Sequence, residues 1–391
     1  MKILQVSTTG FPDPRYYRSN ELVLCKTLAK LGHDVTLFSS DRHPKWQIPE
    51  RRTAEKKVEI LDGFTLKRFP CGIEIGIAPV MPTLLKDLFE TNCDVVHAHY
   101  MLAPSSFYSA VFARIKHKPL IVTEHDYLLK ANHEGSAHGP KLFAHILDNN
   151  TFGRCTMKAA NVVIALSSAA ARFAEDFGAA PSKTRVIPSS VDTSLFRPDQ
   201  KNLLKEKWSV EGRAILSVGK LVKEKAPSVI LRAFHDVALD FPDTKLVMLG
   251  KGPEEPQLRE LQERLGLKNV YFIPRVPLEQ MQHIYPGALF LVLPSLYEPF
   301  GNAVLEAMAS GLPVIGSWIG GMAEVITHGE TGFQIEPGNR RQLSKYMQQL
   351  LADETLRRRM STAARKAAVE RFDDIVVTRE VEKIYNYCLK R

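Results

Sequence analysis

The sequence predicts an α/β protein of two successive domains, each built on a parallel sheet. Three observations carry this. Short apolar runs of strand length alternate with amphipathic helical stretches from the first residues onward. The alternation pauses at residues 191–198 and then restarts, so the architecture is doubled. The chain has 391 residues, of which 45% are hydrophobic and 24% charged, which is enough apolar material for two cores. The expected domains are 1–195 and 196–372, with a last amphipathic segment at 373–391.

In the first domain, residues 3–7 read as a strand, 8–14 as a turn-rich loop and 19–31 as a helix ended by Gly32-His33. A strand at 35–38 completes a strand–helix–strand unit. The pattern continues with strands at 94–98, 120–123, 161–166 and 185–187, and helices at 105–114, 142–159 and 169–177. In the second domain the strands are 214–218, 245–249, 270–273, 289–293 and 314–315. Helices are expected at 227–239, 256–265, 278–285 and 340–371. Two such domains imply a cleft with ligands at the carboxyl ends of the strands.

The most informative stretch runs from Ser295 to Ile315. Glu298 and Glu306 stand with seven residues between them. Pro299 and Gly301 break regular structure, Asn302 is an expected N-cap, and 303–310 reads as a short helix closed by Gly311. The amides at its start form an anion site, because a helix N-terminus carries partial positive charge. A carboxylate at a strand end, an anion site beside it and a second carboxylate behind suit a ligand with hydroxyls at both ends and phosphate between. Glu306 on so apolar a helix implies a buried carboxylate with a partner.

Other strand ends add weaker signals. Gly219, Lys220 and Lys225 follow one strand, and two ammonium groups there suit a diphosphate, although the spacing is not that of a P-loop. Gly250-Lys-Gly252 and Gly320-Gly321 follow two others and allow tight loops. His97 and His99 would share one face of a strand, and Glu124-His125-Asp126 ends the next. An HxH pair can bind metal, which is the main competing enzyme reading. Otherwise such imidazoles suit hydrogen bonds to sugar hydroxyls or phosphate.

The bulk composition excludes several classes. No apolar run reaches the length of a membrane span, and Met1 leads straight into a strand pattern, so no leader is expected. The five cysteines form no CxxC pair, which points to reduced thiols in a cytoplasm. The net charge of +9 is spread over both halves, with a local cluster at Arg42, Lys45, Arg51, Arg52, Lys56 and Lys57 around Trp46 and Ile48. That cluster suits a solvated loop or a patch on an anionic bilayer or acceptor. No nucleic-acid-binding motif is present, so no such partner is expected.

Taken together, the stretch from Leu293 to Ile315 resembles the group 1, family 4 retaining glycosyltransferases, whose hallmark is a Glu–seven residues–Glu motif. The resemblance extends to Gly-Lys-Gly-Pro-Glu, Gly-Gly-Met-Ala-Glu-Val-Ile, Gly329-Glu-Thr-Gly332-Phe and the Ala-Lys-Leu-Gly-His-Asp-Val run, and so spans nearly the whole chain. It implies the GT-B fold, two Rossmann-like domains facing each other across a cleft, with the final segment crossing back onto the first domain.

The resemblance also implies roles. Glu306 would bind the ribose, and Glu298 the hydroxyls of the donor sugar. The amides of Phe300, Gly301, Asn302 and Ala303 would hold sugar and diphosphate, with Gly10 and Gly219 approaching the donor. Lys220 and Lys225 would clamp the diphosphate and stabilise its departure, in place of a metal. Ile273, Arg275 and Val276 would line the base pocket, and His125 would touch the sugar near the reacting carbon. Arg15, Tyr16, His99 and Tyr100 would serve the acceptor. Lys220 stands where the family usually has Arg, and the first loop has Arg15 in place of the common Gly-Gly.

The expected enzyme is a retaining, metal-independent hexosyltransferase with a nucleotide-diphospho-sugar as co-substrate and no cofactor. Its acceptor would be a saccharide or lipid-linked acceptor in cell-surface glycan or lipopolysaccharide assembly, reached from the cytoplasm with a peripheral membrane contact. The alternatives are an epimerase or phosphorylase on the same fold, or a weak nucleotide-sugar binder.

Overall fold

The computed structural model describes residues 1–8, 10, 19–42, 57–75, 78–125 and 152–390. They fall into two compact units, Met1–Pro188 with Val377–Arg391, and Ser189–Val376. Arg15, Tyr16, the helical stretch expected from 142 to 151, and Lys45, Trp46, Ile48, Arg51, Arg52 and Lys56 of the basic cluster lie outside the described residues.

The strands of the first unit are β1 (Lys2–Val6), β2 (Asp34–Ser40), β3 (Val58–Leu61), β4 (Phe64–Phe69), β5 (Ile73–Ile75), β6 (Ala78–Val80), β7 (Val95–His99), β8 (Leu120–Glu124), β9 (Val162–Ala165) and β10 (Thr184–Val186). Eight form one sheet in the order β10-β9-β8-β7-β1-β2-β4-β3, parallel throughout except for the β3–β4 hairpin. Chain order reverses between β7 and β1, so the crevice at their carboxyl ends is a topological switch point. The helix Asn20–Lys30 starts where Ser19 accepts a hydrogen bond from the Leu22 amide at 3.1 Å. The last helix, Asp374–Leu389, lays Val377, Val381, Tyr385 and Cys388 into a core with Ile3, Leu37, Val95 and Ile121. Those four fall on one face at helical spacing.

In the second unit the strands are β11 (Ala214–Val218), β12 (Lys245–Leu249), β13 (Val270–Ile273), β14 (Phe290–Leu293), β15 (Val314–Ser317) and β16 (Gly332–Ile335). Their order is β13-β12-β11-β14-β15-β16, all parallel, which is the doubly wound arrangement with its switch point between β11 and β14. The helix Pro227–Ala238 buries Ile230, Leu231, Phe234 and Val237 in the same core as Leu343 and Met347 of the helix Arg340–Ala352.

Three expectations differ from the structure here. The helix expected at 278–285 is only Leu278–Met281, with a separate turn at Tyr285–Gly287. The helical end at 340–371 is two helices, because Asp353 is extended and its carboxylate accepts from the Leu356 amide at 2.8 Å, capping Glu354–Arg371. The connector belongs to the second unit from Ser189 onward: the Val191 amide donates to Phe372 O at 2.8 Å, and Arg365 donates to the carbonyls of Phe196 and Thr193 at 2.8 and 3.0 Å.

Candidate functional site

The switch point of the second unit gathers most of the residues singled out from the sequence. Gly219 and Lys220 leave the end of β11, followed by the single turn Lys223–Lys225. Glu298 lies on the loop that leaves β14. The Glu224 carbonyl ties the two loops, accepting from the amides of Leu296 at 2.8 Å and Tyr297 at 3.2 Å. The Lys225 ammonium then meets the Glu298 carboxylate in an ion pair. Both side chains are largely covered, 25% and 12% exposed, so bulk water screens the pair only in part.

Asn302 is not the N-cap that its residue type suggests. The helix is Asn302–Ala309, and Gly301 precedes it at φ 91°, a left-handed conformation that favours glycine. The Asn302 side chain instead accepts from the Ser189 hydroxyl at 2.8 Å. Gly301, the residue at the cap position, has no side chain with which to cap this helix. Its first amides therefore keep the donor character that favours an anion.

Glu306 lies inside the helix, buried, and accepts from the Tyr285 hydroxyl at 2.6 Å. Tyr285 is itself fully buried, in the turn Tyr285–Gly287 before β14, and fixes the orientation of the carboxylate. It is a site residue that sequence reasoning missed. Phe300 is buried between these parts, and Gly320 and Gly321 are small because that loop crosses them. A Cβ at Gly320 would stand 2.0 Å from the Glu298 carbonyl, and one at Gly321 would stand 2.3 Å from the Phe300 ring. Ile273 ends β13 and is buried with Val276, while Arg275 between them is exposed.

The first unit brings together a second group at the ends of β1, β7 and β8. Gln5 pairs in register with His97, and His99 with Thr123, so these side chains share one face of the sheet. The His97 ring contacts Tyr385 and Thr123 at 2.6 Å each, and His99 contacts Gln5 Oε1 at 2.7 Å and His125 at 3.0 Å. Tyr100 packs its ring on His125 at 4.6 Å, held at a left-handed φ of 68°. Gly10 packs its backbone on Arg42, where a Cβ would stand 1.9 Å from the Arg42 carbonyl.

Burial sets the charge states. It lowers His97 to about 3, helped by the charge of His125, and lowers His99 well below the ordinary histidine value. His125 is also lowered by burial, opposed by Glu21. For Glu21, burial pushes upward, but His125, His99 and hydrogen bonds from the backbone and Ser19 outweigh it and leave the carboxyl lowered. A carboxylate thus faces neutral imidazoles.

The HxH pair does not form a metal site of its own, since both nitrogens of His97 are engaged by Tyr385 and Thr123. Glu21, His99 and His125 do place one ligand atom each within 4.8 Å of one another, so these three are the residues that could hold an ion among those described. Between the two histidines, however, ring nitrogens 3.0 Å apart share a hydrogen bond. No helix among the described residues is long and apolar enough to cross a membrane.

A pair of parallel-sheet units, one of them doubly wound around a glutamate-lined helix start, is the architecture of a GT-B glycosyltransferase. The solved structure of the Anabaena protein HepE, in complex with UDP and glucose, aligns with a TM-score of 0.74 over 99% of both chains at 20% identity, a likeness of fold. The family model for glycosyl transferases group 1 matches residues 199–367, and that for glycosyltransferase family 4 matches residues 22–195. The chain belongs to this family, the group 1, family 4 glycosyltransferases.

Among relatives, it is 27% identical over 367 residues to the N-acetyl-alpha-D-glucosaminyl L-malate synthase of Bacillus anthracis, covering 93% of this chain and 91% of that one. It is 29% identical over 262 residues to a D-inositol 3-phosphate glycosyltransferase of Acidothermus cellulolyticus. That match takes in 62% of this chain but only 56% of the relative's length.

Proposed function

We propose that the chain transfers a sugar from a nucleotide-diphospho-sugar to an acceptor hydroxyl, with retention at the anomeric carbon. The observation that carries this reading is the convergence at the β11/β14 switch point. Within one unit, the Lys225–Glu298 pair, a helix start whose cap position is Gly301 and the buried Glu306 lie in chain order along two loops and one helix. A nucleotide sugar needs those three chemistries side by side. Glu306, held by Tyr285, takes the ribose hydroxyls. The amides of Phe300 to Ala303 take the diphosphate and the adjoining sugar, and Ile273, Arg275 and Val276 border the base.

Lys220 and Lys225 supply positive charge where the phosphate leaves, which is the task a metal ion performs elsewhere. Glu298 receives the sugar hydroxyls once the donor draws Lys225 to its phosphates. The acceptor oxygen attacks the anomeric carbon on the face from which the phosphate departs. That phosphate takes the acceptor proton. The first unit contributes His125, with His99 and Tyr100 against it, and Gly10 approaches the donor.

The acceptor is a saccharide or a lipid-linked saccharide, and Arg15 and Tyr16 belong to its site. The names of two relatives carry the anionic hydroxy compounds D-inositol 3-phosphate and L-malate, so small anionic alcohols are acceptor candidates as well. The basic cluster from Arg42 to Lys57 suits an anionic membrane surface, and the reaction then runs at its cytoplasmic side.

The test is a thermal-shift and hydrolysis screen of UDP-, GDP-, ADP- and dTDP-sugars in EDTA, followed by NMR of the anomeric configuration of the product. One stabilising donor, transferred or hydrolysed with retention, supports the reading. If every donor and free nucleotide leaves the melting curve unmoved, the reading fails. An inverted product removes the same-face mechanism alone.

A further inference from the structure

Gln5, His97, His99 and Tyr385 are almost wholly buried, yet each has a polar partner, and the partners form one continuous chain. Buried polar groups are retained where their hydrogen bonds are satisfied, and a connected network has a polarity of its own. The direction can be worked out link by link. Gln5 Nε2 donates to Tyr385 Oη at 2.9 Å. The Gln5 Oε1 is then the acceptor, so His99 donates to it through Nε2–H at 2.7 Å. A neutral His99 with its proton on Nε2 has a bare Nδ1, and at 3.0 Å this accepts from His125 Nε2–H. On the other side Tyr385 gives its own proton to His97 Nδ1 at 2.6 Å, and His97 Nε2–H donates to Thr123 Oγ1, also at 2.6 Å.

The geometry points to a tautomer-setting device: the chain Thr123–His97–Tyr385–Gln5–His99 holds His125 in its Nε2–H form and leaves His125 Nδ1 as a bare hydrogen-bond acceptor. All three histidines then carry the proton on Nε2. The polarity resides in the Gln5 amide, because a half-turn of that amide would reverse every link and move all three protons to Nδ1. Gln5 and Tyr385 are positioning residues, and Tyr385 comes from the last helix, 380 positions along the chain from Gln5.

His125 is the one histidine of the three that is not fully covered. A bare Nδ1 accepts from a hydroxyl and repels a phosphate oxygen, so the group it selects is a sugar or acceptor O–H. That use of the nitrogen rests on the glycosyltransferase reading, whereas the tautomer does not.

The experiment is a long-range 1H–15N correlation spectrum of the full-length protein with 15N-labelled histidine rings, near neutral pH and without donor. In the wild type the His125 ring should show a pyrrole-like Nε2 and a pyridine-like Nδ1, and His97 and His99 the same pattern. The reverse pattern at His125, with the proton on Nδ1, overturns the proposal without any variant. So does a spectrum in which His99 Nδ1 and His125 Nε2 are both bare and regain a proton only after EDTA treatment, since an ion would then hold Glu21, His99 and His125.

The role of the chain is read from Gln5→Met and Tyr385→Phe. In either folded variant the two His125 nitrogen signals should move toward each other as the single tautomer is lost. His125 signals unchanged from wild type in both variants would make the chain packing only. Because none of this needs a substrate, failure of the donor screen leaves the result standing.

Discussion

Lys225 and Glu298 neutralise each other across the two loops that flank the β11/β14 switch point, and in the proposed reaction one serves phosphate and the other sugar hydroxyls. The pair keeps both groups in place before a donor arrives. Exchanging it for donor contacts gives each group a new partner, so neither charge is left uncompensated once the donor is bound. Lys225→Ala should therefore lower kcat by roughly a hundredfold or more, the usual loss when one group stabilising developing charge is removed. The melting temperature should shift only slightly. A well-folded Lys225→Ala protein with wild-type turnover would remove Lys225 from the phosphate clamp.

The Tyr285 hydroxyl on Glu306 makes a separate prediction. A hydrogen bond to a charged group contributes about 1.5–3 kcal/mol. Tyr285→Phe keeps the ring in its pocket and takes away the hydroxyl that donates to the carboxylate. If Glu306 binds the ribose in ground and transition states alike, KM for the donor should rise roughly tenfold while kcat changes little. Steady-state kinetics with a saturating acceptor separate the two constants. A fall in kcat at constant KM would move Glu306 from nucleotide binding to the chemical step.

What could be read in advance follows from how local each feature is. Glu298 and Glu306 were legible because a strand, a breaker and a short apolar helix lie within about twenty residues of one another. The β3–β4 hairpin had a signal too, Asp62-Gly63, both at positive φ in the turn. Asn302 misled because propensity favours it as a cap, whereas the left-handed backbone one residue earlier needs glycine. Gly320-Gly321 suggested a loop near a ligand, and the structure shows a steric reason, the crossing of the Glu298–Phe300 loop. Tyr285, Gln5 and Tyr385 carry no local pattern, since their partners are set by sheet order and by the last helix rather than by spacing.

The packing at Gly320 is tight enough to test alone. A methyl there would meet the Glu298 carbonyl at 2.0 Å on a backbone whose φ is 49°. Either effect is unfavourable for alanine, and the loop that must move carries Glu298. Gly320→Ala should lose donor affinity in thermal shift and melt several degrees lower, a cost of roughly 1–3 kcal/mol. Gly329→Ala is the control: its φ of 80° is also positive, but nothing lies within 4 Å of its Cβ position. Gly320→Ala binding the donor as the wild type does would mean that the loop yields without consequence.

The buried histidines make stability depend on acid in a definite direction. His97 falls from an ordinary value of 6.5 to about 3 on folding, mainly through burial, so the unfolded chain takes up its proton first. Protons then favour unfolding. The contribution is fully present above 6.5 and is lost as pH falls from 6.5 toward 3, at about 1.4 kcal/mol per pH unit for this one group. His99 and His125, also lowered, act in the same sense, as does Glu21, whose lowered carboxyl stabilises the folded state only while ionised. Urea midpoints measured at neutral pH and about two units lower should show the loss. His97→Gln, which cannot take up a proton, should flatten the slope even where it lowers stability at neutral pH. A wild-type midpoint unchanged across that window would mean that these rings are protonated in the folded protein.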